Sequence, residues 1–117
     1  MCYNISVELT REDFEKIVSE KLDRLPEILH RNIDNVVFQV EEGSAPNLLG
    51  IYHGIPYSKR KPGYSLVMPD RIVLFKKVIE RSCHSREEIE DRIETVLLHE
   101  IGHYLGLNER QLRNLDL

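Results

Sequence analysis

The chain has 117 residues, of which 41% are apolar and 31% charged, and its net charge at neutral pH is -4. That is enough chain for one modest core and too apolar for a disordered polypeptide. The acidic balance excludes an overall positive field toward nucleic acid or anionic lipid, and no apolar run approaches the roughly 20 residues of a membrane helix.

The opening MCYNISVELT lacks a charged leader followed by a long apolar run, so the expected location is cytoplasmic. In TREDFEKIVSEKLDRL, Thr10 stands as an N-cap with Asp13 three residues on. Phe14, Ile17, Val18, Leu22 and Leu25 follow at helical spacing, which predicts an amphipathic helix. Pro26 should end or kink it and can open a second helical piece holding Ile28, Leu29 and Ile33.

NVVFQVEE is β-branched and aromatic, and predicts a strand over Val36 to Glu41 closed by Gly43-Ser44-Ala45-Pro46. LLGIYHG is a second short strand candidate. IPYSKRKPGYSLVMPD, with Pro56, Pro62, Gly63 and Pro69, reads as a surface loop. RIVLFKKVIE gives a third strand over Arg71 to Phe75, which either runs on toward Val78 or turns into a short helix. Ser85 with Glu88 forms a capping box, and a helix of about twenty residues then runs to Gly106, which supplies a left-handed stop. Helices first, short strands next and one long helix last is an α+β order. With no repeat, low-complexity tract or linker, a single domain over residues 1–117 is expected.

The chemistry gathers in HEIGHYLGLNE, residues 99–109. At about 100° per residue, Glu100 lies within about 20° of Ile89 and Ile93, inside the apolar stripe, where a lone carboxylate is costly. His99 and His103 are one turn apart and can reach one ion. After Gly106 the chain can reverse, so that Glu109 arrives from another direction as a third ligand. Two imidazoles and one carboxylate suit a catalytic Zn²⁺ with its fourth position open to water, and a carboxylate beside such a water can serve as general base. The alternative, ordinary polar residues with Gly106 as a plain C-cap, leaves Glu100 on the apolar face unexplained.

The extended motif resembles that of the zincin metallopeptidases, and its glycine turn is similar to the metzincin arrangement with an acidic third ligand. More narrowly, the chain resembles the minimal zincins, small single-domain bacterial proteins, through HEIGHYLGLNE, LLGIYHGIPYSKR and MPDRIVLFKKVIE. The resemblance implies a zincin-like α+β fold with N-terminal helices, a short mixed sheet and a long C-terminal active-site helix. It also implies one zinc ion held by His99, His103 and Glu109, Glu100 as general base, and Ile72 to Phe75 as a sheet edge beside the cleft, where a peptide or protein substrate could add as a strand. Two departures stand out. The family usually carries aspartate at the position of Glu109, and the only methionines here are Met1 and Met68, so no methionine turn follows the third ligand.

Other residues carry weaker signals. Of the remaining histidines His30, His53 and His84, His53 could border the cleft but reads first as a loop histidine. Tyr52, Tyr57 and Tyr64 could each stabilise an oxyanion, with packing the ordinary role. Lys59, Arg60 and Lys61 make a weak basic patch that a solvated loop explains. Cys2 and Cys83 read as reduced thiols. Two competing functions remain: a non-catalytic metal-binding or interaction protein, and a zinc-dependent endoribonuclease, against which Glu100, Glu109 and the acidic charge speak. So small a fold also leaves room for a partner protein to wall the cleft.

Overall fold

Thr10 opens the first helix, its Oγ1 accepting the Asp13 backbone N–H at 3.1 Å. Helix α1 spans Arg11–Asp23 and buries Phe14, Ile17 and Val18 on one face. Proline then breaks the chain at Pro26, and a six-residue α2, Glu27–Asn32, follows it. The computed structural model describes residues 7–55 and 69–114; Cys2, Tyr57, Tyr64, Lys59, Arg60, Lys61 and most of the expected Pro/Gly loop lie outside them.

Strand β1 is Val36–Glu41, β2 is Gly50–His53 and β3 is Asp70–Phe75. The order across the sheet is β1-β3-β2, with β1 parallel to β3 and β2 antiparallel to it. Both flanks of β3 are therefore taken: Ile72 pairs with Phe38 on one side and Tyr52 on the other. This corrects the expectation that Ile72 to Phe75 is a sheet edge. All four side chains are buried, as a central strand with both faces covered requires, and among the described residues the outer strand beside the last long helix is β2.

The alternative of a short helix after β3 is realised as α3, Lys76–Arg81. Its Lys76 ammonium meets the Glu80 carboxylate at 3.0 Å, both buried, and Glu80 also accepts the Leu9 backbone N–H at 2.8 Å. Helix α4 runs over Arg86–Tyr104, and a further short helix, α5, over Glu109–Asn114. The main core lies between one face of the sheet and helices α1 and α4, where Phe14, Ile72, Leu74, Ile89, Ile93 and Leu97 meet. A smaller cluster of Val73, Phe75 and Val78 packs on the opposite face with Leu48, Leu49 and Ile51. The result is the α+β arrangement expected, with a three-stranded mixed sheet among the described residues. Among the described residues no helix is long and apolar enough to cross a membrane.

Candidate metal centre

Helix α4 starts where the capping box places it. Ser85 Oγ accepts the Glu88 N–H at 3.1 Å, and Glu88 reaches back to the His84 N–H at 3.0 Å. Four turns later the apolar stripe carries Glu100, only 8% exposed, between Val96 and Tyr104. Strand β2 can lie against this part of α4 because Gly50 has no side chain: a Cβ there would sit 2.7 Å from Val96 Cγ1 and 3.6 Å from Glu100 Cγ.

Leu49 O accepts the Phe75 N–H at 2.9 Å. By antiparallel alternation, Leu49, Ile51 and His53 then turn their backbone groups toward β3, while Gly50 and Tyr52 turn theirs outward. The Tyr52 backbone accordingly hydrogen-bonds Glu100. The Tyr52 side chain is pinned as well. Its hydroxyl donates to Asp70 Oδ2 at 2.6 Å, and its ring meets that of Tyr104 edge-to-face with centroids 5.9 Å apart. Tyr104 in turn donates to Asp34 O and accepts from the Asp34 N–H. Burial pushes the Glu100 carboxyl above its usual range, and the Glu109 charge adds to the rise; His103, His99 and the Tyr52 backbone pull the other way.

At its far end α4 closes with a Schellman motif. Leu107 N–H bonds Gly102 O and Gly106 N–H bonds His103 O, both at 2.9 Å, with Gly106 at φ +94°, a conformation that favours glycine. The chain then turns directly into α5, whose cap is reciprocal. Asn108 Oδ1 accepts the Gln111 N–H and Gln111 Oε1 accepts the Asn108 N–H, both at 2.8 Å. Leu112, fully buried, fills a notch in α4 at Gly102, where a Cβ would lie 2.2 Å from Leu112 Cδ2. Cap and notch together fix the first residue of α5, which is Glu109.

Glu109 Oε1 thereby lies 3.0 Å from His99 Nε2 and 2.8 Å from His103 Nε2. His103 Nδ1 is 3.1 Å from Leu107 O. A carbonyl oxygen only accepts, so Nδ1 carries the proton and, in the neutral ring, Nε2 presents a lone pair. A lone pair and a carboxylate oxygen 2.8 Å apart repel unless a positive charge joins them, from a proton or a metal ion. Desolvation pushes the Glu109 carboxyl up, but the hydrogen bonds and positive field of His99 and His103 together outweigh it and hold the group below its usual range.

The donor set fits a small divalent cation. One ligand atom each of His99, Glu100 and His103 lies within 4.8 Å of the others, and Glu109 closes the group from the far side. Zinc bonds of about 2.0–2.1 Å at tetrahedral angles hold ligand atoms roughly 3.3 Å apart. The observed 2.8 and 3.0 Å need only a small opening. The backbone carbonyl behind His103 is the kind of partner that orients a ligating imidazole. His99 and His103 open onto a cleft of about 1100 Å³ between α4 and β2, walled by Leu48, Gly50, Tyr52, Arg92 and Thr95.

The structure thus brings His99, Glu100, His103 and Glu109 together. His53 ends β2 exposed and is not among the residues that line the cleft. Tyr52 borders the cleft, its hydroxyl donating to Asp70. Cys83 is buried beside Ser82. Sequence reasoning missed Gly50, Gly102, Leu112 and the Asn108/Gln111 cap. The last had a legible signal, an asparagine followed three residues on by glutamine.

A family model described as zincin-like metallopeptidase matches residues 26–117. Among solved structures, a conserved hypothetical protein from Thermus thermophilus is similar, with 23% identity and a TM-score of 0.54 over 82% of this chain and 94% of that one. That likeness speaks to the fold. No curated protein matches the sequence significantly.

Proposed function

The chain belongs to the zincin-like metallopeptidase family, and from that premise we propose that it hydrolyses peptide bonds with one zinc ion held by His99, His103 and Glu109. The observation that carries this reading is the close group formed by Glu109 Oε1 and the two Nε2 atoms, with the proton of His103 committed to Leu107 O. Bound there, zinc would supply Lewis acidity, polarising a carbonyl and acidifying a water.

The chain's own residues do the rest. Glu100 takes a proton from the attacking water and returns it to the departing amine nitrogen, leaving a carboxylate and a free amine. Its burial suits that duty, since a carboxyl with a raised pKa gives a proton back more readily near neutrality. The backbone bond from Tyr52 holds it in place. The outward-facing backbone of Gly50 offers an extended substrate one N–H and one C=O for strand-like pairing, so the peptide lies along β2. The wall of Thr95 and Val96 opposite keeps it in the cleft.

Protein purified without chelator is expected to carry close to one zinc per chain, and His103→Ala little. Equal and negligible zinc in both would sink the proposal. Glu100→Gln separates catalysis from a metal ion that only braces α5 against α4. A catalyst loses peptide cleavage while retaining its metal, whereas a brace has no cleavage to lose.

A further inference from the structure

Outside the metal centre, the cleft contains one charged side chain among the described residues, Arg92. It precedes His99 by seven residues, which returns it to within about 20° of the same helix face and roughly 10.5 Å along the axis. Gly50 lies against Val96, and Tyr52 bonds Glu100. Two strand residues advance about 6.7 Å and four helix residues about 6 Å, so β2 and α4 run in step along the cleft, with Arg92 one helical turn before Val96. Both line the cleft.

The arginine is also uncommitted. Among the described residues its guanidinium has no ion pair, whereas Arg86, earlier on the same helix, pairs with Glu90 at 3.5 Å. The carboxylate one turn before it, that of Glu88, is engaged by the His84 N–H. A partly buried arginine on the wall of a groove, in a protein of net charge -4, is a local exception to the acidic field around it. Its planar fork matches a carboxylate.

Resting on the peptidase reading, we propose that Arg92 selects substrates, binding a carboxylate about three residues from the scissile bond, the span that 10.5 Å covers in extended chain. The carboxylate can be an Asp or Glu side chain or the substrate's own C-terminus. In either case Arg92 is a specificity residue that touches the peptide and takes no part in bond cleavage.

The test uses zinc-loaded Glu100→Gln protein, its metal content verified, so that peptides bind without being cut. Fluorescent decapeptides with blocked ends carry a single Asp walked along a neutral sequence, beside Asn counterparts; a second set has a free C-terminus. Anisotropy at low salt is expected to show one Asp position binding roughly fivefold tighter than Asn, the upper range for a solvent-accessible ion pair. Adding Arg92→Gln should abolish that preference, and Arg92→Glu should turn it toward Lys at the same position. If only the free C-terminal set responds to Arg92, the carboxylate is the end of the substrate, and the proposal stands in that form. Peptides that bind equally with Asp or Asn, and equally to Arg92→Gln, overturn it while leaving the peptide cleft intact. No binding of any peptide to zinc-loaded protein overturns the peptidase reading, and this inference with it.

Discussion

Helices α2 and α5 are each six residues long, far below the length at which a helix holds in water by itself, yet they are secured differently. Helix α2 follows Pro26, has no side-chain cap and buries none of its residues; Ile28 on it is 62% exposed. Helix α5 has two reciprocal cap bonds and a fully buried Leu112 seated in the Gly102 notch. Helix α2 only has to carry the chain from α1 to the sheet. Helix α5 has to hold the Glu109 carboxylate against two imidazoles, and a short helix can do that only where specific contacts fix its start.

The largest test of this contrast is Leu112→Ala, expected to cost about 2–5 kcal/mol in denaturant unfolding, as for a deleted core leucine. A loss within about 0.5 kcal/mol would put α5 in the same class as α2. Next comes Gly102→Ala, in which two effects oppose each other. Alanine gains about 1 kcal/mol of helix propensity, but its Cβ meets Leu112 and pushes α5 outward. Zinc affinity measured by chelator competition is expected to fall about tenfold, the lower range for a disturbed ligand support. Unchanged affinity would separate Glu109 from metal holding. Asn108→Ala removes one half of the cap and should cost about 1 kcal/mol. Smallest is Ile28→Ala on α2, expected within about 0.5 kcal/mol of the parent by thermal melting; a larger loss would show that α2 is anchored after all.

Much of this was legible because it is local. Thr10 with Asp13, Ser85 with Glu88, Pro26 and Gly106 each mark a boundary through bonds made within a few residues. The spacing of Ile89, Ile93 and Glu100 likewise told which way Glu100 faces. What the sequence left hidden is settled at a distance. Strand order depends on which partners β3 finds across long gaps, and the continuous apolar run Ile72–Phe75 was a clue to a central strand that the family resemblance obscured. The Gly102 notch depends on a residue ten positions away. The Tyr52 bond to Glu100 follows from which backbone groups of β2 face outward, a matter of register that no side-chain pattern encodes.

That bond is made by the main chain, and it follows that the grip on the proposed base does not depend on which amino acid occupies position 52. Every coded residue except proline would still offer an amide hydrogen there. Random drift at this site can erode the ring's packing on Tyr104 and its tie to Asp70, yet only proline, or a slip of the strand by one place, deletes the donor itself.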